Sequence, residues 1–387
     1  MAKNPETVLG FLDQIWEAAL ESAKDDAISL QDKMHRDGIG GSLKAWDWWY
    51  YAEKVRIEKY DFSEDEVKPY FSTDTVLEGA MSVAKSLFKI QFKESTTLPK
   101  YHDEVRTFEV CRDDSVIGVL YIDYYARSSK RGGAWMSSYQ VQSTMDGHKI
   151  PVVINVCNFP PPTKSGPSLL SSREVKTLFH ELGHALHGLL SSVQYPTLSG
   201  TSVVRDYVEF PSQLMENWGR DPQVVHNYAS HYETKEPMPP ELLKKMASAT
   251  NFNQGFLTSE YLAASYLDLA WHLQEGPSKT VDEIEQQVID RIGMIPEITF
   301  RYRSTYFSHI FSGGYSSYYY CYIWAAVLEK DAYSLFEEKG LFDEVTASKL
   351  LKHVYARGNA KDSMDEYRLF RGSEPSVDAL IEKRGLG

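Results

Sequence analysis

From Glu6 to about Met34, the apolar residues Val8, Phe11, Leu12, Ile15, Ala18, Ala19 and Leu20 recur at steps of three and four, the period of a helix with one buried face. Gly38, Gly40 and Gly41 end it. A second helical stretch carries Trp46, Trp48, Trp49, Tyr50, Tyr51 and Val55, and a third follows Pro69 with Val76, Met81, Val83, Ala84 and Leu87. Aromatic residues at that density read as core packing rather than as a ligand site. Between residues 105 and 127 the period becomes two, as in Val116-Ile117-Gly118-Val119-Leu120-Tyr121-Ile122, around the turn signal Arg112-Asp113-Asp114-Ser115. This predicts a β-hairpin. Trp135 to Val141 and Pro151 to Phe159 predict two more strands, closed by Pro160-Pro161-Pro162. From Ser171 the helical period returns almost to the end. The expected fold is mainly α with a small antiparallel β-sheet: a helical segment over 1–100, the sheet over 101–165 and a second helical region over 166–387, together one compact unit.

Composition narrows the partners. With 387 residues and 42% hydrophobic content, the chain can bury a sizeable core. A formal charge of −13 disfavours nucleic acid, because phosphate contacts need clustered Lys and Arg that are here scattered among acids. Cys111, Cys157 and Cys321 are too few and too far apart for a disulfide framework or a cysteine metal site, and fit a reducing compartment. No run approaches the roughly eighteen apolar residues of a membrane span, and the opening Met-Ala-Lys-Asn-Pro lacks the apolar core of a signal peptide. The expectation is a soluble cytoplasmic protein with no nucleic-acid or membrane partner.

Phe179-His180-Glu181-Leu182-Gly183-His184 contains the pattern H-E-x-x-H. Its setting is helical: Ser171 and Glu174 form a capping box, and Val175, Leu178, Leu182, Leu186 and Leu189 follow at helical spacing. Residues four apart share a helix face, so His180 and His184 can reach one tetrahedral Zn2+ ion. Glu181 points about 100° away, where it would hold water rather than metal. His187 falls near the same face, but one rigid helix does not readily wrap two turns around one ion, so it reads as a packing histidine. A catalytic zinc site takes three protein ligands and leaves one position open. Asp206, Glu209 and Glu216 lie in the next acidic stretch. Spacing leaves Glu209 and Glu216 as alternatives, and the chemistry of the stretch favours Glu209.

Three segments in this order, Phe179 to Gly188, Ser199 to Glu216 and His309 to Trp324, resemble the thimet oligopeptidase family (M3) of zinc peptidases. The likeness is nearest to its dipeptidyl carboxypeptidase and oligopeptidase A branches, and extends through Trp46 to Arg56, Arg131 to Met136 and Arg371 to Gly385. It implies a zincin-like catalytic region in a neurolysin-like helical fold, with Glu209 as the third zinc ligand and His309, Tyr315 and Tyr322 as oxyanion donors. Gly313 and Gly314 permit a bent backbone before the tyrosines, and a phenol donates a hydrogen bond without charge. Tyr315 and Tyr322, seven apart, align if helical, whereas Tyr318, Tyr319 and Tyr320 read as core. Tyr318 stands where the family usually has a small residue.

Family chains are about twice as long, and this sequence matches their C-terminal half. The resemblance implies that the N-terminal half forms the opposite wall of a channel in those relatives, so self-association or a complementing N-terminal half is an expected partner, besides short peptide substrates. The expected chemistry is hydrolysis of peptide bonds, with release of C-terminal dipeptides or internal cleavage, Glu181 acting as general base. Gly132-Gly133-Ala134-Trp135 offers a backbone along which an extended peptide adds as a strand. The competing readings are a zinc-binding module without hydrolytic activity and a different zinc carboxypeptidase.

Overall fold

The computed structural model describes residues 1–276 and 279–386, and the chain divides into two compact units. The first is assembled from Met1–Phe62, Ser248–Lys330 and Pro375–Gly387. Its frame is the helix Pro5–Arg36 against the helix Gln254–His272. Asn4 caps the first of these, its side chain accepting the Thr7 N–H, and Pro5 follows at a position that needs no amide hydrogen. Leu12, Ile15 and Ala19 bury against Leu262, Ala263 and Leu267, and Trp16 Nε1 donates to the Ile292 carbonyl at 2.6 Å. A second cluster stacks Trp48 on Phe256, ring centroids 4.5 Å apart, with Trp48 Nε1 donating to Asn253 Oδ1 at 2.9 Å. The aromatic run divides by helix face: Trp48 and Tyr51 are core, whereas Trp46, Trp49 and Tyr50 are exposed, Trp46 by 81%. Density alone overstated how many of them pack inside.

The second unit comprises Ser63–Ala247 and Asp331–Glu374. It holds a five-stranded sheet of β1 (Gln91–Glu94), β2 (Arg106–Arg112), β3 (Ser115–Tyr125), β4 (Trp135–Gln140) and β5 (Val152–Phe159) in the order β1-β2-β3-β5-β4. The hairpin β2–β3 turns on Asp113 and Asp114, both at positive φ (49° and 62°), as a two-residue primed turn requires. The sheet is mixed rather than purely antiparallel. The chain leaves β3, builds β4 one place further out and returns antiparallel to β4 in the gap, which makes β5 parallel to β3. Strand β1 is four residues long, too short for its period to stand out in the sequence.

The helix Ser172–Leu189 lies on this sheet. Ser171 and Glu174 form a reciprocal capping box: Ser171 Oγ accepts the Glu174 N–H at 3.3 Å, and Glu174 Oε2 accepts the Ser171 N–H at 2.8 Å. Two glycines set close approaches. A Cβ on Gly188 would lie 2.6 Å from Met136 Cε, and one on Gly183 would lie 2.6 Å from Ser212 Cα in the next helix, Phe210–Arg220. A backbone atom cannot move aside as a side-chain end can. Gly183→Ala is therefore expected to lower stability by roughly 1–3 kcal/mol. Gly10→Ala, mid-helix with no atom within 4 Å of the added Cβ, is expected to raise it by roughly 0.5–1 kcal/mol. Thermal denaturation of the two variants beside wild type checks the pair, and equal midpoints would refute the close approach.

Candidate metal centre

His180 and His184 are one turn apart on the helix Ser172–Leu189. Glu209 sits at the junction between the short helix Arg205–Val208 and the helix Phe210–Arg220, whose first turn holds Pro211, with no amide hydrogen to satisfy. The junction turns the Glu209 carboxylate toward the histidines. Its Oε2 lies 3.2 Å from His180 Nε2 and 3.2 Å from His184 Nε2, and one donor atom from each residue falls within 4.8 Å of the others. Among the described residues this is the one group of three or more His, Cys, Asp or Glu side chains with metal-binding spacing. Ser212 Oγ, a turn further on, lies 3.3 Å from Glu209 Oε2.

The structure separates Glu209 and Glu216 by position. Glu216 Oε1 meets His180 Nδ1 at 2.8 Å, the ring nitrogen turned away from the cluster, and Glu216 Oε2 pairs with Lys176 at 3.0 Å. Such a carboxylate fixes the imidazole's orientation and tautomer and raises its basicity. Glu181 is buried, 4% exposed, and its Oε2 has no hydrogen-bond partner among the described residues. Its backbone carbonyl accepts Asn155 Nδ2 from β5 at 2.8 Å, which ties the motif to the sheet. His187 is fully buried, neither ring nitrogen has a partner among the described residues, and its ring stands edge-on to Tyr355 at 6.1 Å.

Electrostatics follow from this placement. Burial opposes charge on His180, yet the hydrogen-bonded carboxylates of Glu209 and Glu216 outweigh it and hold the imidazolium well above the ordinary range. Burial likewise opposes the Glu209 carboxylate, but His184 and His180 draw it well below the usual value. Glu216 is held at about 2, Lys176 and His180 overcoming burial. Glu181 goes the other way, pushed up by burial against the pull of His180 and His184. Two imidazole nitrogens and one carboxylate oxygen, closing on a point that already favours positive charge, suit a divalent ion with borderline preferences and leave a coordination position open.

The remaining predicted residues belong to the first unit. His309 lies in the short helix Ser308–Phe311, Tyr315 in the loop after it, and Tyr322 near the start of the helix Cys321–Lys339. The rings of Tyr315 and Tyr322 stack at 5.6 Å and 16°, and His309 approaches Tyr315 at 6.2 Å. They do not align along one helix, as their spacing suggested. The helix begins only at Cys321, and turns over 315–320 bring the rings together. Tyr319 and Tyr320 are core, but Tyr318 is 40% exposed, contrary to its reading as core. Asn155 and Ser212 went unnoticed in the sequence. Asn155 carried a signal, a lone amide among the apolar residues of Val152–Phe159.

A helical unit that offers H-E-x-x-H from one helix and a carboxylate from the start of the next has the architecture of a metallopeptidase centre. The chain belongs to peptidase family M3, whose sequence profile matches residues 1–386. It is 43% identical over 391 residues to the dipeptidyl carboxypeptidase of Escherichia coli (strain K12), covering 100% of this chain and 57% of that protein. It is 36% identical over 392 residues to oligopeptidase A of Salmonella typhimurium, covering 100% of this chain and 58% of the relative. The chain thus spans a little over half the length of the curated relatives it matches. Among solved structures, the M32 carboxypeptidase from Deinococcus radiodurans R1 shares the fold with a TM-score of 0.56 at 14% identity, over 99% of this chain and 66% of that one. Among the described residues no helix is long and apolar enough to cross a membrane.

Two outcomes test the site. Glu216→Gln, which keeps the shape but removes the negative charge facing His180 Nδ1, is expected to weaken metal affinity by roughly 10–100-fold in a chelator competition. Unchanged affinity would remove Glu216 from the site. His187 is pushed down to about 3 by burial, with the nearby charge of His184 adding to the effect. Its folded-state value is depressed, so between its ordinary value and about 3 the unfolded chain binds the extra proton, and stability falls as pH falls through that window. His187→Phe is expected to flatten this acid slope by up to about 1.4 kcal/mol per pH unit, read from denaturation midpoints of metal-free protein.

Proposed function

We propose that this chain is the catalytic portion of a zinc-dependent peptidase that hydrolyses short peptides, releasing C-terminal dipeptides or cutting internally. The observation that carries this reading is the convergence of His180, His184 and Glu209 beside a Glu181 oxygen that has no hydrogen-bond partner among the described residues. Zinc held by the three ligands would supply Lewis acidity, lowering the pKa of water and polarising a scissile carbonyl. Glu181 takes the proton from the attacking water and passes it to the leaving amine. Its burial supports that role, because desolvation raises the carboxyl's pKa and so strengthens it as a base toward the water's proton. Zinc binding alone does not require that residue.

His309, Tyr315 and Tyr322 are assigned to the oxyanion, to which phenols donate without bringing charge. The edge strand β4 follows Gly133, whose φ of +96° and whose carbonyl, held by Asn158 Nδ2 at 2.7 Å, shape the loop before it. An extended peptide is expected to pair along that edge. Three buried free cysteines fit a reducing, cytoplasmic setting. Self-association or a complementing half remains part of the proposal, because the chain spans only part of its relatives' length.

That short span also favours a second reading, a metal-binding module without turnover. A fluorogenic peptide assay of wild type against Glu181→Gln, with zinc measured on both, separates the two. Turnover is expected to fall by roughly 10²–10⁴-fold at equal zinc content. Equal turnover would sink the mechanism, and zinc without turnover in either protein would establish the second reading. Mass spectrometry of the products distinguishes single residues, dipeptides and internal cuts.

A further inference from the structure

Asp268 lies in the helix Gln254–His272, within the otherwise apolar run Tyr266-Leu267-Asp268-Leu269, and is 1% exposed. A buried carboxylate is costly unless its oxygens receive hydrogen bonds. These come from backbone about fifty positions away in the chain. Asp268 Oδ1 accepts the Ser317 N–H at 2.9 Å and lies 2.8 Å from His272 Nδ1, while Oδ2 accepts the Tyr319 N–H at 2.8 Å.

The loop that receives this carboxylate is not a relaxed one. Gly314 has φ +79° and Ser317 has φ +61°, a left-handed conformation that L side chains disfavour. The loop also folds back on the preceding short helix: the Gly313 N–H donates to the Ser308 carbonyl at 2.7 Å, the Tyr315 N–H to the His309 carbonyl at 3.0 Å, and Ser316 Oγ to the Ile310 carbonyl. A Cβ on Gly313 would lie 2.9 Å from His309 Cα. Two of the loop's amides thus depend on one side chain.

We propose that Asp268 is the positioning residue for Tyr315: by clamping the Ser317 and Tyr319 amides, it holds the loop in the left-handed turn that stacks Tyr315 on Tyr322. Without the carboxylate the two amides lose their acceptor, and nothing in the local sequence favours a left-handed serine. The phenol then samples several positions instead of one. The catalytic consequence rests on the proposed role of Tyr315, whereas the clamp itself does not.

The test compares wild type, Asp268→Asn and the double variant Asp268→Asn/Ser317→Gly. Asparagine keeps the volume but sets an N–H against one of the two donors, and glycine at 317 adopts the left-handed turn at little cost. Hydrogen exchange over residues 312–320 is expected to accelerate by about tenfold or more in Asp268→Asn, with protection of the helix Gln254–His272 and metal content unchanged. In the peptide assay kcat is expected to fall about 10–100-fold with little change in KM, and the added glycine to restore part of it. Unaltered exchange over 312–320 would overturn the clamp. Faster exchange with wild-type kcat, or loss of protection throughout Gln254–His272, would show a purely structural role and overturn the assignment. If wild type itself has no turnover, the peptidase reading fails, and the exchange measurement alone decides the clamp.

Discussion

The helix carrying His180 and His184 and the helix following Glu209 meet backbone to backbone: at Gly183 there is no room for a Cβ against Ser212 Cα and the Pro211 carbonyl. That separation lets one carboxylate oxygen stand 3.2 Å from two imidazole nitrogens on the neighbouring helix. A methyl group at position 183 would push the helices apart by a distance comparable to the tolerance of a coordination site. Other contacts hold the same junction. Tyr355, fully buried, donates its hydroxyl to the Pro211 carbonyl at 2.8 Å, and Gly219 packs against the Phe179 ring. The spacing of the candidate ligands is thus set by packing between helices.

Three glutamates in this centre show how far environment divides one side chain into separate tasks. Glu209 faces both imidazoles and is held ionised despite burial, the state a ligand needs. Glu216, one step back, faces the far nitrogen of His180 and Lys176 and is also kept charged, which suits orientation of a ligand rather than binding of the ion. Glu181 has burial without a bonded cation, and its pKa is raised, which makes its carboxylate a stronger base. The sequence motif names the residues; the neighbours distribute the work.

Much of the architecture follows from local pattern. The Ser171 to Glu174 capping box, the helical period through Leu189 and the hairpin turn at Asp113 and Asp114 each depend on residues a few positions apart, and each is where the pattern put it. What escaped the sequence depends on distant partners. The parallel pairing of β3 with β5 is a choice of strand order, which no single strand encodes. Spacing did not separate Glu209 from Glu216, because Glu209 sits at a break between helices where helical-face arithmetic no longer applies. The same arithmetic failed for Tyr315 and Tyr322, brought together by turns, and for Trp46, Trp49 and Tyr50, which share a segment with buried aromatics but not their face.

One class of signal is readable in hindsight and has a physical basis. A single polar residue inside an apolar, fully buried stretch is costly to leave unbonded, so where it is bonded it meets a backbone or side-chain group that regular structure has not already used. Asn155, among the apolar residues of β5, spends its amide on the Glu181 carbonyl. Asp268, between Leu267 and Leu269, spends its carboxylate on the Ser317 and Tyr319 amides. Neither residue is itself placed to do chemistry. Each holds the backbone of a segment that carries a proposed catalytic group, the motif helix in one case and the tyrosine loop in the other. Apolar runs interrupted by one buried amide or carboxylate therefore point beyond themselves, toward backbone whose exact course matters, as Asn155 and Asp268 do here.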